Sequence, residues 1–93
     1  DIAAFIGANK TSRQYLCGFA LETENLVENA RAKMDKKNMD LIVINSPNDA
    51  QSAFGYDTNK ISLLDKSGKL VSFERQSKKD AARTILQAIA ERI

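Results

Sequence analysis

A helical pattern set between two short apolar runs constrains this chain more than anything else in it. Between Gly18 and Asp40, Leu26, Val27, Ala30 and Met34 recur at helical spacing, with Tyr15-Leu16-Cys17 before them and Leu41-Ile42-Val43-Ile44 after. A strand, a helix and a strand in that order can pair the two strands in parallel, with the helix as the right-handed crossover. The four residues Leu41 to Ile44 are all apolar, three of them β-branched, which suits a central strand covered on both faces. The expected class is therefore α/β, a Rossmann-like parallel sheet with flanking helices.

Length and charge narrow the rest. Ninety-three residues hold one modest core, so the chain reads as one domain or part of one. Fourteen Lys and Arg against twelve Asp and Glu leave a formal charge of +2, too little to argue for nucleic acid. No apolar run approaches the length of a membrane span. With no histidine, Ser-His and Cys-His nucleophile pairs and most zinc sites are excluded within these residues. The single cysteine excludes an internal disulfide, and no N-terminal signal segment is seen, which together point to a cytoplasmic setting.

Taken in order, Ile2, Phe5 and Ile6 share one face of a first helix that begins at Asp1 with nothing ahead of it to cap it, so the start reads as an internal cut. Gly7 and the polar run Asn9 to Gln14 are expected to end that helix. Tyr15 to Phe19 reads as a strand. Cys17 in its middle is a packing residue, because no base is available to activate it. Gly18 either lets a ligand approach the backbone or relieves packing. Thr23 is the expected N-cap of the second helix, with Glu24 near its positive end.

Lys33 and Lys37 border the apolar stripe of that helix. At about 100° per residue from Leu26 they fall at roughly 340° and roughly 20°. Their stems either snorkel over apolar surface while the ammoniums offset the helix C-terminus, or the cations face an anionic ligand. Arg31, Asp35 and Lys36 point away and read as solvated charges. Asn45 to Lys60 is long for a connection, and its Phe54-Gly55-Tyr56-Asp57-Thr58-Asn59-Lys60 segment is either a local staple or an interface or ligand flap. Ile61 to Leu64 and Lys69 to Phe73 read as a hairpin turning at Gly68, adding antiparallel structure. Ser77, with Asp80 three residues on, caps a last helix whose apolar face is Ala82, Ile85, Leu86, Ile89 and Ile93. In a sheet of this kind ligands sit beyond the carboxyl ends of the strands, which singles out 19–23 and 45–49.

The runs Gly18-Phe19-Ala20-Leu21-Glu22-Thr23, Glu28 to Lys33, Lys36 to Val43 and Phe54 to Lys60 together resemble phosphopantothenoylcysteine synthetase, over essentially all 93 residues. The resemblance implies that 1–93 is the C-terminal part of a single synthetase domain, a fragment of a larger domain, fused in most bacteria behind a flavin-dependent decarboxylase. It implies a ligase that uses CTP and Mg2+ to join 4'-phosphopantothenate to cysteine through an acyl-cytidylate in coenzyme A biosynthesis. FMN is then expected only in the fused decarboxylase domain. Nucleotide contacts are implied for Asp1, Ile2, Ala3, Phe19, Lys33 and Lys37, and subunit contacts of a homodimer or higher homo-oligomer for the hairpin and 54–60.

The same resemblance implies no catalytic residue in 1–93, because the family's glycine-rich phosphate loop and lysine-rich flap would both precede Asp1; the fragment alone is expected to be inactive. Ile44-Asn45-Ser46 departs from the family's Ala-Asn-Asp, so no acid's role passes to Ser46. Along an ideal helix Lys37 lies about 27 Å from Phe19, or about 21 Å if a turn precedes Thr23, so one nucleotide reaching both needs long side chains, an irregular helix or a partner subunit. The rival reading is a non-catalytic α/β binding or interaction module in which the lysines are plain surface charges.

Overall fold

The computed structural model describes residues 1–22, 24–45 and 58–93, with only the backbone of 58–59. The elements are α1 (Ile2–Asn9), β1 (Cys17–Leu21), α2 (Leu26–Lys36), β2 (Leu41–Asn45), β3 (Thr58–Asn59), β4 (Ile61–Asp65), β5 (Leu70–Ser72), β6 (Gln76–Ser77) and α3 (Lys78–Arg92). The expected Thr23 cap, the 46–49 rim and Phe54 to Asp57 lie outside the described residues.

The α/β expectation holds, with a mixed sheet. Its order is β1-β2-β4-β5. β1 pairs in parallel with β2, from Cys17 against Leu41 to Leu21 against Asn45, with α2 as the connection. β2 then pairs antiparallel with β4, Val43 facing Leu63, so the hairpin is not an appendage: it supplies a strand of the core. β3 and β6 form a separate two-stranded ribbon.

Alternation along the strands builds two half-cores. Ala20, Ile42, Ile44 and Leu64 pack with Ala30, Met34 and Met39 on the α2 face; Leu41, Val43, Ile61 and Leu63 pack with Ala81 and Ala88 on the α3 face. This is why Leu41 to Ile44 are all buried. Full burial of each large side chain here, Met34, Leu41, Ile42, Leu63 and Leu64, stabilises by about 1.5–3 kcal/mol.

Several local readings are corrected. Asp1 itself caps α1, its Oδ1 accepting from the Ala3 and Ala4 amides at 2.9 and 3.3 Å. α1 runs through Gly7 to Asn9, because Gly7 is where the helix approaches another backbone rather than where it stops. β1 begins two residues later than expected and reaches Leu21. α2 begins at Leu26 behind Asn25, which adopts φ 47° and makes no side-chain cap. α3 is rotated from the expected face: Ala81 and Ala88 enter the core, Ile85 and Ile89 pack at its margin, and Leu86 and Ile93 are exposed. Gly68 takes φ +95°, and Ser77 Oγ accepts from the Asp80 amide at 3.0 Å, both as the sequence predicts.

Gly18 is a packing glycine. A Cβ there would run into the side chain of Met39, itself buried in the α2-side core.

Candidate functional site

The predicted site residues fall into three places. Lys33, near the C-terminus of α2, donates to Glu22 Oε1 at 2.6 Å. Glu22 is buried at the carboxyl end of β1 and its amide donates to the Asn45 carbonyl at 3.2 Å, so this acid is fixed to the sheet rim. One turn on, Lys37 Nζ stands 2.8 Å from Asp1 Oδ2, while the other oxygen of the same carboxylate caps α1. Ile2 follows at the start of α1, largely exposed, and Ala3 packs against the α2-side core. Each lysine therefore meets an acid in the protein itself.

Phe19 is elsewhere. The pleat that sends Ala20 toward α2 sends Phe19 to the other face, where it is 71% exposed. There it lines a cleft of about 410 Å³ with Val43, Asn45, Ile61, Lys78, Ala81, Ala82, Ile85 and Leu86. The cleft is mostly apolar, and Asn45 contributes a buried Oδ1 that has no hydrogen-bond donor among the described residues. The structure thus brings Asp1, Ala3 and Lys37 together, sets Lys33 against Glu22, and separates Phe19 from both lysines by the sheet.

A larger groove of about 520 Å³ lies between β5 and α3, bordered by Asp65, Lys69, Phe73, Thr84, Glu91 and Arg92, and contains none of the predicted residues. Asp65, Thr84 and Arg92 in it are committed to the fold. Asp65 Oδ1 accepts from the Ser67 amide and hydroxyl and the Lys69 amide, and Oδ2 from Arg92 Nε at 3.3 Å. Burial pushes the Asp65 pKa up, but the Ser67, Lys69 and Arg92 donors outweigh it and hold the carboxyl below the usual range. Burial raises the Cys17 thiol pKa, which leaves it a poor nucleophile.

Sequence reasoning missed the acids Glu22, Asp40, Asp65 and the role of Asp1. Asp40 Oδ2 accepts from the Leu16 amide at 2.8 Å and lies 3.4 Å from Lys10 Nζ, tying the chain entering β1 to the start of β2. The one available signal was position, since Glu22 and Asp40 flank β1 and β2 where polar backbone ends need partners. Among the described residues no group of three or more His, Cys, Asp or Glu could hold a metal ion, and no helix is long and apolar enough to cross a membrane.

All of residues 1–93 match a family described as DNA/pantothenate metabolism flavoprotein C-terminal domain. The chain is 44% identical over 89 residues to a cysteine/cysteine sulfinic acid decarboxylase from an unknown prokaryotic organism, covering 96% of this chain and 25% of that protein. It is 40% identical over 90 residues to the coenzyme A biosynthesis bifunctional protein CoaBC of Bacillus subtilis (strain 168), covering 97% of this chain and 22% of that one. A crystal structure of the C-terminal domain of a CoaBC protein superposes with a TM-score of 0.79 at 35% identity, over 96% of this chain and 39% of that chain. The chain thus spans about a quarter of the curated relatives it matches.

These findings overturn the resemblance drawn from the motifs. The matched family is described as a flavoprotein domain and the 44% identical relative is named a decarboxylase, so the assignment to phosphopantothenoylcysteine synthetase and to a CTP-dependent ligase is withdrawn. The partner set that came with it, 4'-phosphopantothenate, cysteine and CTP in a homo-oligomer, is withdrawn as well. Motif likeness located the relatives and misassigned the activity. By its full-length match, this chain belongs to the DNA/pantothenate metabolism flavoprotein C-terminal domain family.

Proposed function

We propose that residues 1–93 supply a phosphate-binding edge within one larger domain of a cytoplasmic, bifunctional enzyme of coenzyme A biosynthesis, whose decarboxylase activity acts on a phosphorylated, cysteine-derived acid. The carrying observation is the convergence of Lys37, the N-terminal amides of α1 and Asp1 at one point, with Lys33 one helical turn away. Two ammoniums beside a helix N-terminus are groups that suit a phosphate, which would take the place of the acids now paired there. Asp1, Ile2 and Ala3 would contribute backbone amides, and Lys33 and Lys37 charge. The Phe19 cleft, across the sheet, offers apolar surface to a different molecule.

Flavin mononucleotide does not fit the described residues as a unit. Its ring would need the apolar cleft and its phosphate the lysines, and these open on opposite faces of the sheet. In this reading the described residues by themselves carry no step of flavin chemistry.

Calorimetry on the full-length protein tests the reading with inorganic pyrophosphate, FMN and nucleoside triphosphates, each with and without magnesium. Binding of a phosphate-bearing probe that is weakened at least tenfold in K33A/K37A, with the fold intact by circular dichroism, supports it. Binding indifferent to the double substitution refutes it.

A further inference from the structure

Asn38 follows α2 with φ 53°, a left-handed conformation that asparagine tolerates better than most residues carrying a Cβ. Its side-chain amide joins two elements that are remote in sequence. Nδ2 donates to the Gly7 carbonyl of α1 at 3.0 Å, and Oδ1 accepts from Nζ of Lys66, in the turn between β4 and β5, at 2.9 Å. Lys66 is itself seated against the sheet, because its amide donates to the Asp40 carbonyl at 3.1 Å. One planar amide cannot choose these two partners separately. Turned over, it would set Oδ1 against the Gly7 carbonyl, acceptor on acceptor, and its NH2 against the Lys66 ammonium, donor on donor. Lys66 therefore fixes which end of the amide meets α1. The bond it selects is partly buried and lies at Gly7, the one residue of α1 that is buried.

We infer that Asn38 is a clamp that couples the β4–β5 turn to the docking of α1. Lys66 orients the amide, the oriented amide holds the Gly7 carbonyl, and α1 is thereby kept against the end of α2. Asparagine meets both demands of the position: it accepts the left-handed backbone, and it offers a donor and an acceptor on one rigid plane. Glycine would meet only the first, and aspartate would meet the first while presenting an acceptor to the Gly7 carbonyl. The inference concerns how α1 is held, and it stands whether or not the edge that α1 carries binds a phosphate.

Hydrogen exchange of the full-length protein, read by mass spectrometry on peptides covering residues 1–9 with the β2 peptide as reference, tests it. Asn38→Gly keeps the backbone conformation and removes both side-chain bonds, so exchange in 1–9 should rise about three- to tenfold. Asn38→Asp should release α1 at least as far. Lys66→Ala leaves Asn38 in place and should raise exchange in 1–9 about two- to threefold, while Lys66→Arg, which keeps a donor, should retain protection. In an Asn38→Gly background Lys66→Ala should add nothing, because the route it acts through is gone. No rise in Lys66→Ala, or a rise that persists undiminished in the Asn38→Gly background, overturns the inference. Acceleration of the β2 peptide to the same degree as 1–9 overturns it as well, since that is general loosening and not release of α1.

Discussion

Gly7→Ala sets helix propensity against packing and gives them opposite signs. Gly7 is the only buried residue of α1, and a Cβ built on it would overlap the backbone carbonyl of Lys37, with Lys37 C at 2.8 Å and Asn38 Cβ at 3.4 Å. A carbonyl at the C-cap of α2 cannot rotate aside as a side chain could. The contact is reinforced by Asn38, which sits at φ 53° just past α2 and whose Nδ2 donates to the Gly7 carbonyl at 3.0 Å. An alanine at 7 therefore moves α1 off α2. That loses the Asn38 hydrogen bond, about 1 kcal/mol, the Lys37–Asp1 pair, about 0.2–1 kcal/mol, and part of the packing of Ala3, about 1 kcal/mol. Against this stands a propensity gain of about 1 kcal/mol for replacing glycine inside a helix. The net expectation is a loss of about 1–2 kcal/mol confined to the docking of α1.

Hydrogen exchange read by mass spectrometry resolves that locality. Peptides covering residues 1–9 should exchange about 5- to 30-fold faster in the variant, while the β2 peptide keeps its protection. Slower exchange in 1–9, as propensity alone would give, refutes the argument that α1 is placed by close backbone approach at Gly7.

Other perturbations read other parts of the fold. The Asp65 carboxyl is held below its usual range, so it stabilises the native state at pH above about 4 and that contribution is lost as pH falls through its lowered folded value; Asp65→Asn should flatten the acid limb of a stability–pH curve below about pH 4, measured by urea melts. Cys17 should react with a thiol reagent at pH 8 at least tenfold more slowly than free cysteine, and fast labelling in the native protein would contradict its partial burial and raised pKa. Ser77→Ala should cost about 1 kcal/mol through loss of the Asp80 amide cap, with Ser77→Gly costing only a few tenths, as thermal denaturation will report.

What could be read in the sequence is what local pattern dictates. The strand–helix–strand unit follows from a change of period, the buried run Leu41 to Ile44 from its continuity, and the Gly68 turn and Ser77 cap from residues with one dominant local use. The arrangement of the hairpin beside β2 was not legible, since nothing in the composition of β4 states which edge it will pair with. Nor was the rotation of α3, where Leu86 and Ala88 are both apolar candidates and only the shape of the sheet chooses Ala88. Partnerships of long separation were the least visible: Leu16 with Asp40, Gly7 with Asn38, and Asp65 with Arg92 join residues 24 to 31 positions apart. The split of Phe19 from the lysines was within reach, because strand alternation alone opposes Phe19 to its neighbours Gly18 and Ala20.

That split makes a further claim about energetics. Helix and sheet layers pack about 10 Å apart, so a group bound at Phe19 on the α3 face and one bound at Lys33 or Lys37 on the α2 side are separated by the sheet itself. Side chains at such distance, sharing no partner, act additively to within about 0.3–0.5 kcal/mol. The effects of Phe19→Ala and Lys33→Ala/Lys37→Ala on pyrophosphate affinity should therefore sum in the triple variant, with Phe19→Ala near zero by itself. A coupling above about 1 kcal/mol would mean that one ligand reaches both faces, and β1, which carries Phe19 and leads into Glu22, is an edge strand around which such a ligand would pass. Glu22 would then be a contact of the ligand's path as well as the anchor of Lys33, and Glu22→Gln would share the coupling. Additivity leaves Glu22 with Lys33 alone, and the lysine edge and the apolar cleft as two sites that one sheet happens to carry.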